Sequence, residues 1–332
     1  MADAIKVKSL VKSFNGFKAV NKISFNVVKG ELFGLLGPNG AGKTTTINIL
    51  STLLKPTSGK AYVSGFDVSK HTDEVRKNIG IVFQEPALDG KLTGWENLNF
   101  HALLYGMKMN ERKQRISEVL ELVEMTDKAK LIIDKYSGGM KRRLEIARGL
   151  MHRPNVLFLD EPTLGLDTQT RRAIWDYIKK LNKKLQMTII LTTHYMEEAD
   201  SLCDRIAIMD HGKIVAIDTP MNLKNLLGGD VVNLEIGDEN KKEFLLELKE
   251  TGWIKSIRRI GGAISLNLEQ AERKIPDILE IAGRHNIKVE SVTLHKPSLE
   301  DVFLYFTGRG IREDDNNDNK SRLVPHAHMS GR

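Results

Sequence analysis

The sequence is short of three things, and each shortage excludes a class of protein. It has one cysteine, Cys203, in 332 residues. A single thiol cannot close an internal disulfide, so a disulfide-stapled secreted scaffold is excluded. Long apolar runs are missing as well. The longest candidates, such as Met187–Leu191 and Ile206–Met209, are strand-sized, far below the roughly 18 residues of a membrane-spanning helix. The first residues, Met1–Lys8, lack the apolar stretch of a signal peptide, and a cytoplasmic location is expected. Basic runs interleaved with aromatics are missing too. The net charge of +7 is scattered, which reads as a solvated basic surface, and no nucleic-acid partner is expected.

What is present is a globular composition, 41% hydrophobic and 28% charged, on a chain long enough for one α/β domain and a smaller companion. Ile5–Val7 and Ile23–Val28 alternate apolar and polar residues, as antiparallel strands with one covered face do. Leu32–Leu36, Ile79–Phe83, Val156–Leu159, Thr188–Thr192 and Arg205–Met209 are continuously apolar and suit a parallel sheet buried on both faces. Helical patterns at Lys43–Leu54, Gln169–Lys183 and Glu197–Cys203 follow several of them, giving a layered α/β order. A helical insertion over residues 93–150 begins with a capping box, Thr93 and Glu96, and continues with Glu111–Met125.

Gly228-Gly229 reads as a boundary, so residues 1–228 form the first domain. After it the order strand, helix, two strands about a Gly261-Gly262 turn, helix (Pro276–His285), strand predicts a small ferredoxin-like α+β unit over 229–310. The Asp/Asn-rich run after it predicts a disordered tail over 311–332. Its last twelve residues, with Leu323-Val324-Pro325 and His326-Ala327-His328-Met329, read as partly vector-derived.

Chemistry enters at Gly37-Pro38-Asn39-Gly40-Ala41-Gly42-Lys43-Thr44, which fills the P-loop template between a strand and a helix. Its glycines let backbone N–H groups converge on phosphate at the helix N-terminus. Lys43 reaches the terminal phosphates and the Thr44 hydroxyl suits Mg²⁺, with Thr45 beside it. Asp160 ends an apolar strand, where a carboxylate is costly unless it is used, and is a candidate metal ligand. Glu161, one residue on, is a candidate base for the water that attacks phosphate. His194 closes another strand and could orient Glu161 or contact the γ-phosphate; alone, such a histidine more often caps a helix. Gln84, at a further strand end, could bridge metal and water.

Ser137-Gly138-Gly139 opens a basic helix and makes a second phosphate-binding N-terminus. One ATP needs one P-loop, so the economical reading is a head-to-tail pair in which each Ser-Gly-Gly faces the ATP held by the other copy. A plain loop-to-helix cap is the competing reading.

These motifs, in this order from about Ile5 to Pro220, resemble the ATP-binding subunits of ABC transporters. The resemblance implies an ABC-type P-loop ATPase domain: a mixed sheet core, an antiparallel β subdomain and a helical subdomain, with the small α+β domain appended. It makes Gly37–Thr44 the Walker A motif, Gln84 the Q-loop, Tyr136–Met140 the signature, Val156–Asp160 Walker B, Glu161 the catalytic base, Leu164–Asp167 the D-loop and His194 the switch histidine. Phe14 falls where the family stacks an aromatic on adenine, with Phe17 its rival. Tyr136 and Met140 depart from the commoner Leu and Gln of the signature. With Gly138–Arg143, Pro162–Asp167, Thr193–Glu198 and the C-terminal Pro297–Phe303, they look like the daunorubicin-resistance-type exporters. The implied cofactors are ATP and Mg²⁺. The implied partners are a second copy and a separate transmembrane permease, whose coupling helices would dock near Gln84–Gly94 and the 93–130 helices, leaving this chain peripheral on the inner face of the membrane. A ribosome- or DNA-acting ABC ATPase fits less well, because such chains carry two cassettes or a long coiled-coil insertion. Import remains the nearer alternative to export.

Overall fold

A computed structural model describes residues 2–237, 241–260 and 263–308. The expected Gly261-Gly262 turn and the expected tail lie outside the described residues. The chain divides after Thr219 into two compact units, nine residues before the Gly-Gly boundary read from the sequence. The short helix that makes up the difference, Pro220–Asn225, buries Leu223 and packs within the second unit.

The first unit opens with β1 (Asp3–Phe14), β2 (Phe17–Val28) and β3 (Leu32–Leu36), then α1 (Lys43–Leu50), β4 (Ser58–Val63), β5 (Phe66–Asp67), α2 (Thr72–Asn78) and β6 (Ile79–Val82). The helical insertion follows as α3 (Gly94–Leu104), α4 (Met109–Leu122) and α5 (Gly138–Gly149). The unit closes with β7 (Val156–Asp160), α6 (Thr168–Leu185), β8 (Thr188–Thr193), α7 (Met196–Leu202), β9 (Arg205–Asp210) and β10 (Lys213–Asp218).

Two sheets carry it. The six-stranded sheet runs β10-β9-β3-β8-β7-β6. All its strands but β10, namely β9, β3, β8, β7 and β6, are parallel, and every residue of β3, β7 and β8 is buried, as expected for strands covered on both faces. The C-terminal ends of β3, β7 and β8 therefore lie side by side. That edge is where open parallel sheets place ligands, and it carries the P-loop, Asp160-Glu161 and His194. The second sheet, β2-β1-β4-β5, is antiparallel. The alternation at Ile5–Val7 marks only the start of β1. The strand continues to Phe14 through a bulge between Val7 and Leu10, where Ser9 has φ 46°.

Helix α1 stops four residues earlier than its apolar pattern predicts. Thr52 turns left-handed (φ 67°) and the Leu53 and Leu54 N–H groups both fold back to the Asn48 carbonyl. The capping box at α3 forms as expected, with Thr93 accepting from the Glu96 N–H and Glu96 accepting from the Thr93 N–H.

The second unit contains α8 (Pro220–Asn225), β11 (Asp230–Ile236), α9 (Lys241–Glu250), β12 (Ile254–Ile260), β13 (Ala263–Leu268), α10 (Ala271–Arg284), β14 (Val289–His295) and α11 (Leu299–Thr307). Its sheet order, β12-β13-β11-β14, is antiparallel throughout. Val232, Leu234, Leu266 and Leu268 pack on Phe244 and Leu248 of α9 and on Ile278 and Ile281 of α10. This is the ferredoxin-like arrangement expected from the βαββαβ order. Helix α10 begins at Ala271, five residues before Pro276. No helix among the described residues is long and apolar enough to cross a membrane.

Candidate nucleotide site

The P-loop geometry follows from two glycines that cannot be anything else. A Cβ on Gly37 would run into the Met209 carbonyl oxygen, and one on Gly42 into that of Ala19. Gly42 also has φ 98° and is the N-cap of α1, so the helix opens with its free N–H groups turned toward the loop. The loop from Pro38 to Thr45 lines a cavity of about 330 Å³, together with Gln84, Glu161, Leu164 and His194. A larger cavity, about 610 Å³, is lined by Arg76, Tyr105, Arg115 and His152. None of the P-loop residues, Gln84, Glu161 or His194 lines it, so size does not decide which cavity holds the nucleotide.

Inside the smaller cavity the predicted residues converge. Lys43 Nζ donates to the carbonyls of Gly37 (2.7 Å) and Pro38 (3.0 Å) and pairs with Glu161 Oε1 at 3.3 Å. His194 Nδ1 lies 2.9 Å from Glu161 Oε2. Burial pushes the Glu161 carboxyl up, but the His194 hydrogen bond and the Lys43 charge outweigh it, and the group sits below its ordinary range. Glu161 is therefore an ionised carboxylate at neutral pH. Its backbone is left-handed, φ 47°, a strained conformation of the kind that clusters at active sites.

Thr44 Oγ1 donates to Asp160 Oδ1 at 3.1 Å. A hydroxyl and one carboxylate, with Gln84 on the wall, match the sparse protein ligation of Mg²⁺, which takes its remaining ligands from water and phosphates.

Phe17, not Phe14, lines the cavity. Phe17 is two residues from Ala19 along β2, and the Ala19 carbonyl abuts Gly42, so that face of the strand runs into the P-loop. The Phe14 ring lies under the Lys12 ammonium, 4.9 Å away.

Comparison with known proteins bears on the same residues. The ABC transporter family profile matches residues 20–164, and that of the ATP-binding protein DrrA1-3-like C-terminal domain matches 219–307. The chain is 41% identical over 312 residues to the linearmycin resistance ATP-binding protein LnrL of Bacillus subtilis, covering 93% of this chain and all of that one. It is 39% identical to the daunorubicin/doxorubicin resistance ATP-binding protein DrrA of Streptomyces peucetius, covering 92% of each. The chain belongs to the ABC transporter ATP-binding proteins. Among solved structures, cbiO1 of Clostridium perfringens, part of the ABC transporter complex cbiONQ, matches with a TM-score of 0.64 at 27% identity, over 76% of this chain and 98% of that one. The dimeric ATP-binding cassette MJ0796 with ADP and Pi matches with a TM-score of 0.58 at 30% identity, over 65% of this chain and 98% of that one. The chain is thus an ABC ATPase of the daunorubicin-resistance-type subfamily.

Not every ABC motif falls in the cavity. Gly37 and Asp160 lie just behind its wall, joined to it through Lys43 and Thr44, whereas Ser137, Gly138, Gly139 and Asp167 do not line it. Ser137 caps α5, accepting from the Met140 N–H at 3.3 Å. Asp167 caps α6, accepting from the Thr170 N–H (2.9 Å) and hydroxyl (2.6 Å). A Cβ on Gly138 or Gly139 would meet only a methyl of Leu166 (2.9 Å) or of Thr170 (2.7 Å). Packing within the chain demands glycine there far less than at Gly37 or Gly42, where the obstacle is backbone.

Three supporting residues escaped the sequence reading. Thr192 Oγ1 donates to Asp160 Oδ1 (2.5 Å) and accepts from the Glu161 N–H (3.0 Å), tying β8 to both acids. Glu198, fully buried, accepts from the Thr163 hydroxyl (2.7 Å) and the Trp175 indole (2.8 Å), and burial pushes its carboxyl up. Arg142 is buried beneath the Walker B end. The signal available was spacing: Arg142 stands at helical intervals from Gly139, Ile146 and Gly149, which α5 buries.

Proposed function

We propose that this chain is the ATP-hydrolysing subunit of an exporter, working as a head-to-tail pair that drives a separate transmembrane permease. The observation that carries the pairing is that the Ser137-Gly138-Gly139 helix start, a phosphate-binding element by its chemistry, lies outside the chain's own cavity. Its glycines serve an approach from outside the chain, and a second copy's ATP is that approach. Phe17 then stacks on adenine, and Thr44, Asp160 and Gln84 would hold Mg²⁺, which would supply charge neutralisation of the phosphates. Glu161 takes the proton of the attacking water while His194 holds it in place.

A permease is supported by the outer face of the insertion. Phe100, Leu103, Leu104, Tyr105 and Met109 are all exposed, an apolar patch of the kind that marks a partner surface. Tyr105 also lines the 610 Å³ cavity. Through that contact the subunit sits at the inner face of the membrane. Export over import is supported by the resistance proteins it resembles.

The pairing is tested by mixing Lys43→Ala chains with Ser137→Arg chains. Each mixed pair retains one intact composite site, so ATP-dependent pairing returns on mixing although neither variant shows it alone. No recovery on mixing would overturn the head-to-tail arrangement.

A further inference from the structure

Arg142 makes an unusual set of bonds. Nε donates to the Pro162 carbonyl (2.6 Å), Nη1 to that of Phe83 (2.7 Å), and Nη2 to those of Asp160 (3.0 Å) and Glu161 (2.8 Å). A guanidinium has five N–H donors in a rigid fork. Here the fork is spent on main chain, with no carboxylate as a direct partner. The carbonyls belong to the two segments that carry the chemistry: Phe83 precedes Gln84, and the other three surround Glu161. One turn further along α5, Glu145 accepts from the Ala87 N–H at 2.8 Å. Helix α5 thus grips residues 83–87 at both ends and the Asp160–Pro162 turn from below.

The same helix is capped by Ser137, five residues before Arg142. In the head-to-tail arrangement, on which this inference rests, that end meets the ATP of the second copy. A movement of α5 toward that phosphate must carry the four carbonyls with it or break charge-assisted bonds buried from water. We propose that Arg142 is a positioning residue that transmits engagement of the second copy's ATP at Ser137-Gly138-Gly139 to Glu161 and Gln84 of its own chain. Arg142 touches no reacting atom. It makes the two sites of a pair depend on each other, because each α5 senses one ATP and sets the base for the other.

The test uses the full-length chain and ATP titration of steady-state hydrolysis. Two coupled sites give the wild-type chain a Hill coefficient approaching about 2. Arg142→Gln is expected to bring it to about 1 and to lower kcat roughly 10- to 100-fold, the scale of a small misplacement of catalytic groups. A fluorescent ATP analogue should bind the single chain within about twofold of wild type, since the P-loop is untouched. Arg142→Lys keeps the charge but not the fork, so it should recover part of kcat without the Hill coefficient; it also serves if the glutamine variant does not fold. A lowered melting temperature and kcat with an unchanged Hill coefficient in Arg142→Lys or Arg142→Gln would mean a purely structural arginine and overturn the inference. Failure of the pairing itself is read separately: Glu161→Gln, with Arg142 intact, would then form no ATP-dependent pair.

Discussion

Replacing Glu161 by glutamine changes one carboxylate oxygen to an amide nitrogen and leaves the volume almost untouched. The wild-type carboxylate is held between Lys43 at 3.3 Å and His194 at 2.9 Å. Those two partners keep it ionised despite burial. Glutamine can still accept from one of them but cannot take a proton from water. Loss of a general base costs about 10²- to 10⁴-fold, which at about 1.4 kcal/mol per decade is roughly 3–5 kcal/mol of barrier. A second effect runs the other way. The substitution removes a negative charge from the phosphate cavity and releases Lys43 from its carboxylate, so ATP binds at least as tightly and the ATP-bound pair persists. The assay is phosphate release at saturating ATP, with size-exclusion in ATP alongside it. Slow turnover with a stable ATP-dependent pair is the expected outcome. Wild-type hydrolysis would refute Glu161 as the base, and loss of ATP binding would show that the Lys43–Glu161 pair instead builds the P-loop. The pH dependence has a definite sign. A carboxyl depressed below 4.5 contributes stability that is present above 4.5 and is lost as pH falls through its lower folded value. Glu161→Gln therefore flattens the acid side of the stability profile.

Phe17→Ala should weaken ATP binding by about 1–3 kcal/mol, the usual worth of a stacked base, while Phe14→Ala changes it little; equilibrium binding of a fluorescent ATP analogue distinguishes them, and the reverse order would return the adenine contact to Phe14. Glu198→Gln should raise the melting temperature above pH 4.5, with a gain that grows between pH 4.5 and the raised folded pKa, levels off above it and vanishes in acid. A carboxyl raised by burial opposes folding as soon as its unfolded counterpart ionises, and Gln retains an acceptor for Thr163 and Trp175. A variant less stable than wild type at pH 8 would show that the Glu198 charge is needed.

The site was legible to the extent that it is local. The P-loop is one contiguous segment whose glycines meet constraints set by their own backbone, so its residues fall together wherever the strand-turn-helix forms. Asp160, Glu161, Gln84 and His194 could be placed because each ends a buried apolar strand, and parallel strands in one sheet bring such ends to one edge. The helix caps at Thr93 and Ser137 were readable for the same reason: donor and acceptor are three residues apart. Phe14 and Phe17 were not separable, because flanking the same hairpin turn says nothing about which ring meets a loop contributed by another element. The early stop of α1 depended on a left-handed Thr52 that no local pattern announced.

By itself, then, the sequence determined the order of elements, the nucleotide chemistry and the family, since these rest on periodicity and contiguous motifs. The tertiary structure alone decided which residues hold that chemistry in place. Arg142 reaches carbonyls 18 to 59 positions away, Thr192 reaches Asp160 across 32, and Glu198 joins Thr163 of the loop after β7 to Trp175 of α6. Hydrogen bonds of that span exist only once the parallel sheet has formed and α5 has packed against it, so no window of neighbouring residues could have contained them.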